Sequence, residues 1–90
     1  DLAKISALML DELMEPLKEK GINFAYSVEA AELLAKHAGS GKSGARDLRS
    51  VIRREVEDKI AMIIVDSGDN PPAGIVVTCD NDKIVVIKGQ

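Results

Sequence analysis

An arginine at the entrance of a long helix has the plainest chemistry in this sequence. Gly44-Ala45-Arg46 follows the glycine- and serine-rich stretch Gly39-Ser40-Gly41-Lys42-Ser43 and opens the longest helix that the sequence predicts, over 45–66. A guanidinium keeps its charge at any physiological pH, and its fork of N–H groups matches the oxygens of a phosphate. The first turn of a helix favours anions as well, because its backbone N–H groups are unpaired and the dipole is positive there. Arg46 is therefore a candidate phosphate ligand. Between Lys42 and Arg54 the cations Lys42, Arg46, Arg49, Arg53 and Arg54 face a single carboxylate, Asp47. At about 100° per residue, Arg46, Arg49 and Arg53 fall on one ridge of the helix. Spacing alone leaves two readings of that ridge. It binds phosphate, or it is solvated and paired with Glu55, Glu57 and Asp58.

Other motifs carry less. Gly41-Lys42-Ser43 resembles the end of a phosphate-binding P-loop, but Lys36 stands where the pattern needs its first glycine, and a helix rather than a strand comes before it. His37 has no Cys, Asp or Glu at metal-ligand spacing and reads as a helix-terminal histidine. Cys79 alternates with Ile75 and Val77 and reads as a small buried hydrophobe. Asp80 and Asp82 read as turn formers. No pairing of a nucleophile with a base presents itself, and no metal site is expected.

Several elements must position these residues. Leu2, Ile5, Met9, Leu13 and Leu17 recur at helical spacing, with a kink expected at Pro16 and an end at Lys20-Gly21. Ile22 to Tyr26 alternates as a short strand. Ser27 is placed to cap a second helix, Val28 to Ala38, with Glu29 in its first turn. Leu48, Ile52, Val56, Ile60 and Ile63 form the apolar stripe of the third helix. After a turn over 67–74, Ile75 to Cys79 and Ile84 to Ile87 read as a hairpin joined through Asp80-Asn81-Asp82. Both hairpin strands are apolar on both faces, so a cover is expected on each side. The expected fold is α+β: three helices with a small β-sheet made of the early strand and the hairpin.

The totals set bounds. Ninety residues make one domain, 1–90, and 46% hydrophobic residues with one Phe and one Tyr imply an aliphatic core. The small size and the start at Asp1-Leu2 lead us to expect a piece of a longer chain. A net charge of −3 gives no general pull toward nucleic acid or acidic membranes. The single Cys79 cannot form an internal disulfide, which suggests a reducing, cytoplasmic setting. No apolar run reaches the roughly 20 residues that span a bilayer.

The order helix, short strand, helix, glycine-rich loop, Gly-Ala-Arg helix and hairpin resembles the C-terminal small (lid) domain of Clp-type (Hsp100) AAA+ unfoldases, in their last ATPase module. The pieces that match are Gly21-Ile22, Ser27-Val28-Glu29-Ala30, and Gly44-Ala45-Arg46 with Leu48. The family usually has an aromatic where Ser43 stands and often a proline where Asp47 stands. This resemblance implies a nucleotide-binding role for Gly44, Ala45 and Arg46, with Arg46 as the second sensor residue. It implies ATP and Mg²⁺ in the parent protein rather than in this chain, and no catalysis by the chain alone. Implied partners are the large ATPase domain of the same chain, neighbouring subunits of a homohexamer and protein substrates. The hairpin and the outer face of the first helix are expected to contact the neighbouring subunit. A ClpP-type protease is a further partner if the parent is protease-associated rather than a disaggregase.

A reading from another class competes. Three helices and a hairpin also describe a winged-helix DNA-binding module with the Arg46–Arg54 helix in the major groove. Against it stand the negative net charge and a hairpin whose cations are Lys83 and Lys88.

Overall fold

Two helical segments, not one kinked helix, open the chain. The computed structural model describes residues 2–39 and 44–89. Helix α1 (Leu2–Glu12) and helix α2 (Met14–Glu19) meet at Leu13, whose N–H donates to Leu10 O at 3.0 Å, a tighter bond than the α-helical one. The expected kink at Pro16 is thus corrected to a break at Leu13. Pro16 sits in the first turn of α2, where a missing N–H and a fixed φ do little harm. At the other end of α2 the chain turns back through Gly21 at φ +79°. There the N–H of Gly21 donates to Lys18 O and that of Ile22 to Leu17 O, both at 2.9 Å. Ile22 and Leu17 are both buried, so the cap carries its own apolar contact.

Strand β1 (Asn23–Tyr26) leads into helix α3 (Val28–Ala38). Ser27 caps α3 as expected, its hydroxyl accepting from Ala30 N–H at 3.1 Å. Four alanines of α3, Ala30, Ala31, Ala35 and Ala38, are buried alongside Leu33 and Leu34.

The predicted long helix runs from Gly44 to Ser67 as α4 (Gly44–Ile52), a π-helical turn (Arg53–Glu57) and α5 (Asp58–Ser67). Its apolar pattern explains the π turn. Leu48, Ile52, Val56 and Ile60 are all buried and lie four residues apart. On an α-helix each such step overshoots a full turn by about 40°, so the stripe would wind off the core. A wider turn with i→i+5 bonding takes up the excess.

Strands β2 (Gly74–Asp80) and β3 (Lys83–Gly89) form the hairpin. Its two-residue turn has positive φ at Asn81 (50°) and Asp82 (62°), the hairpin geometry that Asn and Asp tolerate. The mixed sheet has the order β1-β2-β3, with β1 parallel to β2 and β2 antiparallel to β3. Phe24, Ile75, Val77 and Ile84 face the helices and join one continuous core with Leu10, Leu34, Leu48 and Val56. The fold is α+β, three helical runs against a small sheet. Cys79 is only partly buried at the edge of that core.

Candidate functional site

Leu48 fixes the entrance of the long helix. It is fully buried, and Arg46, two residues earlier, is exposed in the first turn of α4 beside the exposed Asp47. Gly44 and Ala45 begin the same turn. Among the described residues no ion pair or hydrogen bond engages the Arg46 side chain. The glycine–serine residues 40–43, with the P-loop-like Gly41-Lys42-Ser43, lie outside the described residues.

The arginine ridge is split. Arg49 and Arg53 line a pocket of about 160 Å³ between α1 and the long helix, with Met9, Glu12, Leu13, Ile52 and Glu57. Arg46 does not line it. Arg54 lines another pocket with His37, Asp47 and Ser50. Of the carboxylates that follow the ridge in sequence, Glu57 lines the same pocket as Arg49 and Arg53. Glu55 turns to His37, whose Nδ1 lies 3.0 Å and 3.1 Å from its two carboxylate oxygens.

His37 is the residue whose role the sequence hid. Its Nε2 lies 3.1 Å from Asp82 O, so one imidazole ties α3, the π turn and the hairpin turn. The partners are 18 and 45 residues away, and the helix-dipole reading of His37 accounts for neither contact. A second tie joins β1 to α1. The Tyr26 hydroxyl is 2.7 Å from Asp11 Oδ1, and 3.3 Å from Ala7 O. The hydrogen bond to Asp11, with burial and the Asp11 charge, pushes the phenol up from 10.0 to about 12.

Among the described residues, no group of three His, Cys, Asp or Glu side chains could hold a metal ion. No described helix is long and apolar enough to cross a membrane. What remains chemically is an outward cation, Arg46, at a helix entrance.

The family model described as the C-terminal, D2-small domain, of ClpB protein matches residues 1–77. The chain belongs to this D2-small family. Its relatives include the ATP-dependent Clp protease ATP-binding subunit ClpE of Bacillus subtilis (strain 168), 36% identical over 85 residues, which is 94% of this chain and 12% of that protein. Chaperone protein ClpB 2 of Parasynechococcus marenigrum (strain WH8102) is 32% identical over 82 residues, 91% of this chain and 9% of that protein. The ATP-dependent Clp protease ATP-binding subunit ClpL of Staphylococcus aureus (strain USA300) is 33% identical over 89 residues, 99% of this chain and 12% of that protein. The D2-small chain thus spans 9–12% of the length of these relatives. The winged-helix alternative gains no support: the family match and all three relatives are Clp proteins.

Proposed function

We propose that this chain is the lid of the last ATPase module of a Clp-type machine, and that Arg46 reads the nucleotide held on the large domain. The observation that carries this reading is the position of Arg46: exposed at the α4 entrance, two residues before a fully buried anchor, with no partner among the described residues. Relatives named as ATP-binding subunits and as a chaperone support it. A guanidinium brought to the γ-phosphate stabilises the charge that spreads over its oxygens during transfer. Because Leu48 locks the helix start into the lid core, a force on Arg46 moves the whole lid. Nucleotide state is then coupled to the angle between lid and large domain.

In this reading ATP and Mg²⁺ belong to the large domain, and the lid alone hydrolyses nothing. The hairpin and the outer face of α1 meet the neighbouring subunit of a hexamer, and the whole assembly unfolds protein substrates in the cytoplasm. A protease-associated parent would also engage a ClpP-type protease.

The test is steady-state ATPase and substrate unfolding on the full-length protein. Arg46→Ala should impair hydrolysis or its coupling to unfolding, and Arg46→Lys should restore only part, because a point charge does not reproduce the planar fork. Arg49→Ala and Arg54→Ala should do much less. Equal, mild effects from all three would overturn the sensor role.

A further inference from the structure

The open side of strand β3 belongs to the hairpin, but its outward main-chain groups play no part in the nucleotide reading. β3 is the edge of the sheet, and the outward direction of its backbone follows from the ladder. The carbonyls of Ala73, just before β2, and of Val77 on it accept from Asn23 N–H and Ser27 N–H, each at 3.0 Å, so they point toward β1. Val77 therefore makes no ladder bond to its opposite residue, Val86, and the N–H and C=O of Val86 point away from the sheet. The same parity holds for Ile84 opposite Cys79 and Lys88 opposite Ile75. Lys59 confirms it, because its ammonium reaches Ile84 O from outside at 3.0 Å.

That lysine blunts the edge at the turn end only. Among the described residues no hydrogen bond meets the outward groups of Val86 and Lys88. Side chains on the two faces differ. On the outer face Ile87 is 47% exposed and stands in one cross-strand row with Val76 and the exposed Ala25. On the helix side Lys59 and Lys88 bring two cations to the edge, and β3 itself carries no carboxylate. A second copy of this strand would set lysines beside lysines, which disfavours self-pairing.

We propose that the β3 edge accepts an extended strand of a partner polypeptide, paired through Val86 and Lys88, with acidic side chains on its helix side and apolar ones on its outer side. Main-chain bonds would supply affinity, and the alternating faces would supply selectivity. The proposal goes beyond the nucleotide reading and does not use Arg46.

The test is amide hydrogen exchange, residue by residue, on the chain with a blocked peptide that alternates valine and glutamate. The expected result is slowing of exchange at Val86 and Lys88 by about tenfold or more, with little change at Val85 and Ile87, whose N–H groups already bond to β2. The valine–lysine counterpart should have no effect. Val86→Pro removes an outward donor without taking a bond from the β2–β3 ladder and should abolish the protection. If circular dichroism shows that this variant does not fold, Lys88→Glu carries the test, by weakening the valine–glutamate peptide and favouring the valine–lysine one. Absence of protection, equal protection by both peptides, or protection that grows with protein concentration alone would overturn the proposal. Arg46→Ala should leave the peptide effect unchanged, so failure here is distinct from failure of the sensor reading.

Discussion

Tyr26 and Asp11 are held 2.7 Å apart, phenol to carboxylate, and this contact fastens the end of the β1 strand to the first helix. The phenol titrates at about 12 instead of 10.0 because its O–H donates a hydrogen bond to Asp11, whose charge also repels the phenolate, with burial adding to both. A raised pKa in the folded state means that this stabilisation is complete below pH 10 and is lost as pH rises from 10 toward 12. Tyr26 is the only tyrosine, so tyrosinate absorbance reports it alone. Asp11→Asn should move the absorbance transition down toward the ordinary value and flatten the loss of stability over that window. An unchanged midpoint would show that Asp11 is not the cause.

Ser6 offers a prediction in the opposite direction. It is fully buried on α1, and among the described residues its hydroxyl has no hydrogen-bond partner. Leaving such a group unsatisfied costs about 1–3 kcal/mol. Ser6→Ala should therefore raise the stability of the chain, by about 1 kcal/mol, in a urea or guanidinium melt. A loss of stability would mean that the hydroxyl is satisfied in solution.

Ile60 lies at the start of α5 and is 5% exposed. Truncation to Ala removes most of a buried side chain and leaves a cavity, so Ile60→Ala should cost about 2–5 kcal/mol. Val65 on the same helix is 76% exposed, and Val65→Ala should stay within about 0.5 kcal/mol. Similar midpoints for the two variants would place the wrong face of α5 against the core.

His37 should matter more than a surface residue does. His37→Ala removes the contacts to Glu55 and to Asp82 O together. Both partners are partly solvated, which reduces the expected loss to about 1 kcal/mol. The sharper readout is local: amide exchange in the hairpin turn near Asp82 should speed up, while the α1–α3 contact should stay protected. Uniform acceleration would argue for a global effect.

Much of this fold could be read from local rules. The Ser27 cap, the Gly21 reversal and the Asn81-Asp82 turn each follow from the conformational freedom or hydrogen bonding of a few adjacent residues. The apolar stripe from Leu48 to Ile60 likewise announced a long helix. Three things were not legible. The parallel pairing of β1 with β2 depends on how α3 and the long helix stack between them, which no local pattern encodes. The break at Leu13 was masked because the apolar stripe continues unbroken to Leu17 and drew attention to Pro16. The tie from His37 to Glu55 joins residues on either side of the glycine–serine stretch, and only the folded chain brings them together. At the site, the position and exposure of Arg46 were legible because a buried Leu48 implies an outward residue two places before it. The separation of Arg46 from the Arg49–Arg53 pocket was not, because it depends on where α1 packs.

The π turn between α4 and α5 has a mechanical consequence. It makes the long helix a shaft with a phase step built into it. The α5 end is held by Ile60 in the core, and the other end carries Arg46. Tightening Arg53–Glu57 to plain α-helix, with every residue kept, would rotate one end against the other by about 100°, with a shift of about 1.5 Å along the axis. The guanidinium would then look in a different direction, although the side chains of α4 and α5 would be unchanged. The aim of Arg46 is thus set by a turn of helix seven residues away from it.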